Sequence, residues 1–336
     1  MATPLFIAEV SANHLGSLDR ALQIIQAAAS AGANAVKFQT YTASTMTLDT
    51  KEFSVSSDHA LWGGRRLFEL YEEAFTPWEW HKQMFDHARQ LGVLPFSSPF
   101  DLTAVALLES LETPMYKIAS LETGDHQLIK AVAETGKPLI VSTGATEWTE
   151  IEELVSVVEK TGNKDLTLLL CTSSYPSDPV DAHLRRMQTL RERFGVKVGL
   201  SDHTLGIGVS IAAIALGATA IEKHLTLRRA DGGADGAFSM EPDEFAMLVK
   251  EGTSAAKALG KSEWNMQDSE MESRRLRRTL YIVKNVRKGE IVSQDNIRAI
   301  RPGGGCAPKL LDSLIGKKFR EDFNLGTPMS PHLTAD

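Results

Sequence analysis

GVKVGLSDHTLGIGVSIAAIALGATAIEKHLT, residues 195–226, is the stretch of sequence that decides the fold. It contains an apolar run, Val196 to Leu200, then a helical pattern from Leu205 to about Leu216, then a second apolar run, Ala218 to Ile221. This order predicts a strand–helix–strand unit in which each strand delivers polar residues at its carboxyl end. Parallel strands joined by a right-handed crossover lie side by side, about 5 Å apart. The polar residues that follow the two strands are therefore predicted to face one small volume.

Two histidines, His203 and His224, follow these strands, with Asp202 and Glu222 beside them. One histidine alone would more often cap its strand by hydrogen bonding. Two imidazoles with carboxylates close by instead indicate a divalent-metal site. Because protein ligands are few, Mn²⁺ or Mg²⁺ with open positions for substrate and water fits, and Zn²⁺ remains possible on ligand type.

The same strand–helix pattern occurs eight times in about 255 residues, which is the size of a (β/α)8 TIM barrel. The alternative is an open doubly wound sheet. The count of eight, the polar cluster after every strand, and the lack of a glycine-rich phosphate loop after the first strand favour the barrel. A long segment, Tyr41 to Pro77, interrupts the repeat and is predicted to be a lid or binding loop.

A second domain is predicted after the barrel. We expect a TIM-barrel domain over residues 1–259, a linker over 260–278, and a small β-rich module over 279–336. In the last segment, short apolar runs are separated by Lys288-Gly289 and by Gly303 to Gly305. A module of about sixty residues has little core of its own, so we expect it to dock on a partner.

Composition narrows the class of protein. The net charge of −7 gives no sign of nucleic-acid binding, and the basic run SRRLRR at 273–278 is interpreted as linker or dimer contact. Two cysteines, Cys171 and Cys306, cannot build a disulfide framework and favour a reducing, cytoplasmic setting. The first ten residues lack a basic region, so no signal peptide is expected, and no apolar run is long enough for a membrane span.

Several motifs, in order along the chain, resemble those of the sialic acid synthase family: AEVSANHLGSLDRA, VKFQTY, FSSPFD, YKIAS, STGA, CTSSYP, GLSDHT and IEKHLT. The C-terminal module resembles the antifreeze-like (SAF) domain of that family, including the KGE turn and the RPGGG loop. Within the family, LYEEAFTPWEWH, ADGGADGAFSMEP and Ser173 resemble the pseudaminic acid synthase branch. The neuraminate branch usually has Asn at the position of Ser173.

The resemblance implies that phosphoenolpyruvate condenses with an acetamido-sugar aldehyde and water to give a nine-carbon sugar acid and phosphate. The implied sugar is 2,4-diacetamido-2,4,6-trideoxy-L-altrose; an N-acetylneuraminate or legionaminic acid synthase using another acetamido-sugar is the alternative. Phosphate and carboxylate groups need cations and hydroxyl donors. The candidates for phosphoenolpyruvate binding are Lys37, Ser98, Lys117, Ser120, Ser142, Ser173 and Ser201.

Carboxylates are needed to activate the water that attacks C2 of the former phosphoenolpyruvate. The candidates are Glu9, Glu122, Glu222 and Asp235, and the sequence does not choose among them. An alternative for Glu222 is a salt bridge to Lys37 or Lys223. The aldehyde would be polarised by the metal at His203 and His224.

Contacts to the sugar are expected from Gln39, Tyr175 and Arg301, although Tyr175 could equally serve packing. Arg301 lies in RPGGG, whose glycines permit close backbone approach. The resemblance implies that this arginine reaches the barrel of a neighbouring subunit, in a domain-swapped homodimer. A solvated arginine in a turn is the alternative.

Two other functions remain open. One is a barrel aldolase that forms a Schiff base on Lys117 and needs no metal. The other is a carbohydrate-binding β module attached to a non-catalytic barrel.

Overall fold

A computed structural model describes residues 3–57 and 62–335. Residues 1–2, residues 58–61 of the predicted lid segment, and residue 336 of the predicted module lie outside the described residues. The chain divides into two compact units, Met1–Gly260 and Lys261–Asp336.

The first unit contains a closed barrel of eight parallel strands in sequential order, which confirms the predicted TIM barrel. The strands are β1 (Leu5–Glu9), β2 (Ala35–Thr40), β3 (Leu94–Pro99), β4 (Tyr116–Ile118), β5 (Leu139–Ser142), β6 (Leu166–Cys171), β7 (Lys197–Ser201) and β8 (Ala220–His224). Strand β8 pairs with β1 through Leu5↔Ala220 to Glu9↔His224, which closes the barrel.

Helices follow the strands. They are α1 (Leu18–Ser30), α2 (Ala43–Met46), α3 (Leu67–Ala74), α4 (His81–Gln90), α5 (Leu102–Ser110), α6 (His126–Glu134), α7 (Trp148–Thr161), α8 (Arg186–Phe194), α9 (Gly208–Ala215) and α10 (Pro242–Ala258). Two of them, α2 and α3, lie in the segment Tyr41 to Pro77 that interrupts the repeat.

The helix predicted from Asp181 to Phe194 is too long by one turn. The structure has a 3-10 turn at Pro179–Ala182, and α8 begins only at Arg186. His183 separates the two because its backbone is left-handed, with φ of 41°. A left-handed residue cannot continue a right-handed helix.

Strand residues alternate between the barrel interior and the layer under the helices. The interior contains an apolar cluster of Ile7, Ala35, Phe96, Ile140, Leu169 and Ala220. Residues one position away, such as Phe6, Ala8 and Ile221, pack in the larger core with the helices. In β7 the interior position is Gly199, where a Cβ would lie 2.7 Å from the Leu169 side chain and would also collide with the Ala220 carbonyl.

The second unit has its own core of Leu280, Ile282, Val286, Val292, Ile297, Leu314, Phe319 and Met329. Strands β9 (Thr279–Ile282) and β10 (Ile297–Ile300) pair antiparallel, as do β11 (Lys318–Phe319) and β12 (Thr334–Ala335). Two short helices, α11 (Met271–Arg275) and α12 (Leu311–Leu314), complete it. The helix α11 lies within the segment that the sequence predicts as a linker.

Across the described ranges, no helix is both long enough and apolar enough to cross a membrane.

Candidate active site

The candidate site is the layer of side chains that lies two residues beyond the apolar interior of the barrel. Ile7 is followed two positions on by Glu9, Phe96 by Ser98, and Ala220 by Glu222. Because side chains two apart on a strand share a face, this layer also points into the barrel. The alternation therefore gathers polar residues from all eight strands at the carboxyl end, where barrel enzymes have their sites.

Two lysines and two glutamates form the buried centre of this layer. Lys37 Nζ lies 2.7 Å from Glu9 Oε2 and 3.7 Å from Glu222 Oε1, and Lys117 Nζ lies 3.3 Å from Glu222 Oε1. Burial alone would raise the pKa of Glu222, but the charges of Lys117 and Lys37 lower it to about 2. The salt bridge of Glu222 to Lys37 that the sequence left open is present, whereas Lys223 pairs with Asp202.

The two lysines are poised to bind an anion. Both are almost fully buried, both line a cavity, and hydroxyl groups lie around them. Ser98 Oγ accepts a bond from Lys37 Nζ at 3.4 Å, and Ser201 Oγ donates to Glu222 at 3.0 Å. The Ser142 hydroxyl is buried and has no hydrogen-bond partner in the described part of the chain. Such a donor set suits a phosphate or carboxylate.

Gly144 brings further hydroxyl groups close together on the β5 side. Its amide donates to Ser120 Oγ at 3.0 Å. A Cβ at Gly144 would lie 2.9 Å from Ser120 Oγ and 3.1 Å from Cys171 Sγ, and would also collide with the Ser173 hydroxyl. Glycine is therefore required for this close approach.

The two histidines face each other, with ring centroids 5.3 Å apart. His203 Nδ1 donates to the Thr172 carbonyl at 3.0 Å. Burial lowers the pKa of His203, but the Cys171 thiol and the Thr172 carbonyl outweigh burial and raise that pKa, so a metal at Nε2 would compete with a proton there. Burial, followed by the positive charges of His203, Lys37 and Lys117, holds the pKa of His224 well below its usual range. His224 is therefore neutral, which is the form that binds metals.

Two imidazoles are in place to bind a divalent cation. His224 Nδ1 is buried and has no hydrogen-bond partner among the described residues, and Asp235 Oδ2 lies 3.8 Å from it. However, no group of three or more His, Cys, Asp or Glu residues within 3–57 and 62–335 is arranged to hold a metal. The protein would therefore supply two imidazole ligands and leave the other positions open.

Asp202 does not take part in this arrangement, although it is next to His203 in the sequence. It lies on the opposite face of the chain from Ser201 and His203. Its carboxylate accepts hydrogen bonds from Thr204, Ser210 and Lys223. These bonds occupy both carboxylate oxygens, so Asp202 has a structural role behind the site.

Asp235 comes from the loop after β8 and is joined to the β1 and β2 ends. It accepts hydrogen bonds from Ser11 Oγ and from the Ala12 amide at 3.4 Å. Gln39 Nε2 donates to Ser11 Oγ and to Glu9 Oε1, each at 3.0 Å. Burial raises the pKa of Asp235 in spite of these bonds.

Glu122 differs from the other three candidate carboxylates. Glu9 and Glu222 pair with lysines and Asp235 accepts a hydrogen bond from Ser11, whereas no ion pair to Glu122 occurs among the described residues. Glu122 Oε2, like Glu222 Oε2, is buried without a hydrogen-bond partner there. Burial raises the pKa of Glu122 to about 7, and the charge of Lys117 only partly opposes this. A carboxyl with a pKa near neutrality can both take up and release a proton.

The cavity above these groups has a volume of about 280 Å³ and a lining of both polar and apolar side chains. The strand ends supply the polar lining. Apolar and aromatic side chains also line the cavity, among them Met46, Val55, Leu67, Tyr71, Phe100 and Leu121. The ring centroid of Tyr175 lies 4.5 Å from that of His203 and 6.0 Å from that of Trp62.

The structure brings together most of the residues that the sequence selects. Twelve of them line the cavity: Lys37, Gln39, Lys117, Ser120, Glu122, Ser142, Tyr175, Ser201, His203, Glu222, His224 and Asp235. Glu9 and Ser98 contact Lys37, and Ser173 lies beside Gly144. Arg301 belongs to the second unit, where it is exposed.

Cys171 and Ser11 also line the cavity, but the sequence did not select them as site residues. Cys171 Sγ lies 3.9 Å from His203 Nδ1. Cys171 follows Leu169 by two positions, so the alternation that places Glu9 and Ser142 would also have found it. Ser11 was also missed, although it lies two residues after Glu9. Its hydroxyl donates to Asp235 and accepts a hydrogen bond from Gln39.

Known proteins resemble this chain over nearly its whole length. The sequence model of the NeuB family matches residues 24–264, and that of the SAF domain matches residues 277–332. Pseudaminic acid synthase from Helicobacter pylori is 43% identical over 328 residues, which cover 97% of this chain and 96% of the relative. N,N'-diacetyllegionaminic acid synthase from Campylobacter jejuni is 35% identical over 329 residues, which cover 96% of this chain and 98% of the relative.

A solved structure agrees with these matches. The N-acetylneuraminic acid synthetase of Leptospira borgpetersenii, crystallised with citrate, superposes with a TM-score of 0.73 at 34% identity, covering 81% of this chain and 90% of that chain. The resemblance predicted from the strand-end motifs is thereby confirmed. A closed barrel, a matched SAF domain and relatives of this identity lead to one conclusion: the chain belongs to the NeuB family.

Proposed function

We propose that the protein is a pseudaminic acid synthase. It condenses phosphoenolpyruvate with 2,4-diacetamido-2,4,6-trideoxy-L-altrose and water, and releases pseudaminic acid and phosphate. One observation carries the proposal: two buried lysines and a set of serine hydroxyls converge beside two imidazoles in a single cavity. The 43% identity to the Helicobacter pylori enzyme supports the choice of sugar.

Phosphoenolpyruvate binds at the strand-end layer in this proposal. Lys37 and Lys117 neutralise its phosphate and carboxylate, and hydroxyl groups complete the hydrogen bonds to its oxygens. These hydroxyl groups belong to Ser98, Ser120, Ser142, Ser173 and Ser201. The unpartnered Ser142 hydroxyl supports the idea, because a buried donor without a partner costs free energy that a bound oxygen would recover.

A divalent cation, Mn²⁺ or Mg²⁺, would be held by His203 and His224. When bound, it would supply Lewis-acid polarisation of the aldehyde oxygen. The hydrogen bond from His203 Nδ1 to Thr172 fixes the orientation of that ring, and the neutral state of His224 keeps one of its ring nitrogens unprotonated.

Glu122 is our choice for the carboxylate that takes a proton from the attacking water. Its pKa of about 7 matches the task, whereas Glu222, with a pKa of about 2, is held ionised by the lysines. C3 of phosphoenolpyruvate forms a bond to the aldehyde carbon, and water adds to C2. The bond between C2 and the bridging oxygen then breaks, so that this oxygen leaves with phosphate. Glu9, Glu222 and Asp235 hold the lysines, Gln39 and Ser11 in place.

The sugar contacts Gln39 and Tyr175 within the barrel in this proposal. We also propose a domain-swapped homodimer in which Arg301 of one subunit reaches the sugar in the barrel of the other. The exposure of Arg301 and the glycines that follow it support this role. The two free thiols, Cys171 and Cys306, support the proposed cytoplasmic setting.

Phosphate release tests the proposal. The protein is incubated with phosphoenolpyruvate, Mn²⁺ and, in separate reactions, the precursor aldehydes of pseudaminic, legionaminic and N-acetylneuraminic acid. We expect phosphate release to be fastest with the diacetamido-L-altrose aldehyde. A faster reaction with either of the others would reassign the sugar within the family. With oxygen-18 at the bridging position of phosphoenolpyruvate, the label should appear in phosphate; label in the sugar acid would exclude the C–O cleavage.

A further inference from the structure

Phe238 packs against both imidazoles of the candidate metal site. Its ring centroid lies 4.9 Å from that of His224, at an interplanar angle of 66°, and 6.1 Å from that of His203, at 90°. Both are edge-to-face arrangements, which attract because the positive edge of one ring meets the negative face of the other. Phe238 is 3% exposed and does not line the cavity. It therefore acts on a ligand in the cavity through the side chains that it contacts.

The two histidines differ in what else fixes their rings. His203 Nδ1 donates a hydrogen bond to the Thr172 carbonyl at 3.0 Å. His224 Nδ1 is buried without a hydrogen-bond partner among the described residues, and Asp235 Oδ2, at 3.8 Å, is beyond hydrogen-bond distance. Rotation of an imidazole about its second side-chain torsion is soft, because the energy wells are broad. Contacts with neighbouring rings are therefore what limits the rotation of the His224 ring.

The turn that carries this phenylalanine is fixed at both ends. Gly236–Phe238 forms a short 3-10 turn directly after Asp235, whose carboxylate accepts a hydrogen bond from Ser11. Ser239 follows the turn; its hydroxyl donates to the Asp235 carbonyl at 2.7 Å and accepts from Asn13 Nδ2 at 2.9 Å. Ser11 and Asn13 both lie in the 3-10 turn after β1. The loop after β8 thus presents the ring from a backbone that is tied to a neighbouring strand end.

We propose that Phe238 is a positioning residue, which holds the His224 imidazole in the orientation that binds the divalent cation. This inference rests on the proposed function, which places the cation at His203 and His224. A metal-binding histidine is usually oriented by a hydrogen bond from its other ring nitrogen, and loss of that partner lowers metal affinity by about 10- to 100-fold. For His224 the ring contact takes this role. We expect the lower end of the range, because the hydrogen bond of His203 is retained.

The test is Phe238→Leu, which keeps a buried apolar side chain and removes the flat ring. The dissociation constant for Mn²⁺, measured by paramagnetic resonance without substrate, should rise by about 10-fold. The affinity for phosphoenolpyruvate, measured by calorimetry in metal-free buffer, should stay unchanged. Phe245→Leu is the matched control, because Phe245 is 0% exposed in the core between barrel and helices and makes no ring contact with either histidine in the described part of the chain. It should lower stability and keep the wild-type affinity for Mn²⁺.

A second measurement uses the metal-free wild-type protein, so it holds even if Phe238→Leu does not fold. Carbon-13 relaxation of the Cε1–H bonds reports how far each imidazole reorients. We expect the His224 ring to be as rigid as the His203 ring, although only His203 has a hydrogen bond at Nδ1. A His224 ring that reorients freely beside a rigid His203 ring would overturn the inference.

The outcomes separate this inference from the proposed function. If Phe238→Leu binds Mn²⁺ as tightly as the wild type, the inference fails and the proposed function stands. The inference also fails if Phe245→Leu loses as much affinity, because the loss would then follow from the removal of any buried ring. If the wild-type protein binds no Mn²⁺, the proposed cation site fails and the inference fails with it.

Discussion

Lys223 and Asp202 form a buried ion pair directly behind the two facing histidines. Lys223 Nζ lies 3.1 Å from Asp202 Oδ2, and each side chain is 1% exposed. The same ammonium group donates to the Thr204 and Gly206 carbonyls at 2.6 and 3.0 Å. Because Asp202 precedes His203 and Lys223 precedes His224, the pair fixes the relative position of the two strand ends that carry the imidazoles.

Breaking this ion pair should destabilise the barrel. Lys223→Met leaves the Asp202 carboxylate buried without its cation, which costs on the order of 3–5 kcal/mol. Urea unfolding of the first unit measures the loss. The double variant Asp202→Asn/Lys223→Met should recover much of it, because neither buried charge remains. A single variant within about 1 kcal/mol of wild type would show that the pair does not hold the strand ends.

Removing Lys117 should weaken phosphoenolpyruvate binding. Lys117→Ala deletes one of the two buried cations of the cavity and leaves Glu222 with less compensation, so we expect at least a 100-fold loss of affinity by calorimetry. Lys130→Ala is the control, because Lys130 is exposed and pairs with its helix neighbour Glu134. Unchanged affinity in Lys117→Ala would remove this residue from the anion site.

The carboxyl of Glu122 predicts a pH dependence of both activity and stability. If it acts as the base, kcat/KM should rise with pH through about 7, and Glu122→Gln should abolish activity. The pKa of Glu122 is about 7 in the folded state and 4.5 for an ordinary glutamate, as in the unfolded chain. The free energy of unfolding should therefore fall as pH rises from about 4.5 through 7.

At pH 8 the Glu122→Gln variant should therefore be more stable than the wild type by up to about 3 kcal/mol. Near pH 4.5 the two should differ by less than about 0.5 kcal/mol, because the carboxyl is protonated in the folded state and only half ionised in the unfolded chain. Unfolding curves at the two pH values measure the difference. If the gain in stability had the same size at both pH values, its cause would not be the ionisation of Glu122.

Metal removal should stop turnover. EDTA should abolish phosphate release, Mn²⁺ should restore it, and about one equivalent of Mn²⁺ should bind per chain, measured by paramagnetic resonance. His203→Ala and His224→Ala should lose that binding, and His126→Ala, a half-exposed control on α6, should keep it. Full activity in EDTA would favour the Schiff-base aldolase that uses Lys117. Full phosphate release by His203→Ala would argue against any catalytic role of the pair.

Mixing two inactive variants tests the domain-swapped dimer. Lys117→Ala destroys the barrel site, and Arg301→Ala removes the arginine that would act in the partner's barrel. In a mixed dimer, the intact barrel of the Arg301→Ala chain receives Arg301 from the other chain. Unfolding and refolding an equal mixture should then restore about a quarter of wild-type activity. If Arg301 acts within its own chain, the mixture stays inactive.

Much of the barrel could be predicted from sequence because its pattern is local. Apolar runs followed by polar residues mark each strand end, and the alternation along a strand decides which side chains face inward. That alternation also fixes Asp202 on the outer side, because Ser201 and His203 face inward. Asp202, although next to His203 in the sequence, therefore lies behind the site and not in it.

The apolar lining of the cavity could not be predicted in this way. Its residues are scattered from Met46 to Leu121 and follow no period, and contacts such as Tyr41 with Phe100 join distant parts of the chain. The start of α8 was missed for a similar reason, since His183 carries no sequence signal for a left-handed backbone.

The segment between β2 and α4 stands outside the repeating architecture that holds the lysines and histidines. Descendants of such a barrel could exchange this one stretch of chain and acquire a new carbohydrate without disturbing the strand ends. Diversity among the sugar acids made by such enzymes would then trace to changes in a single insertion, while the condensation chemistry of the strand ends stayed the same.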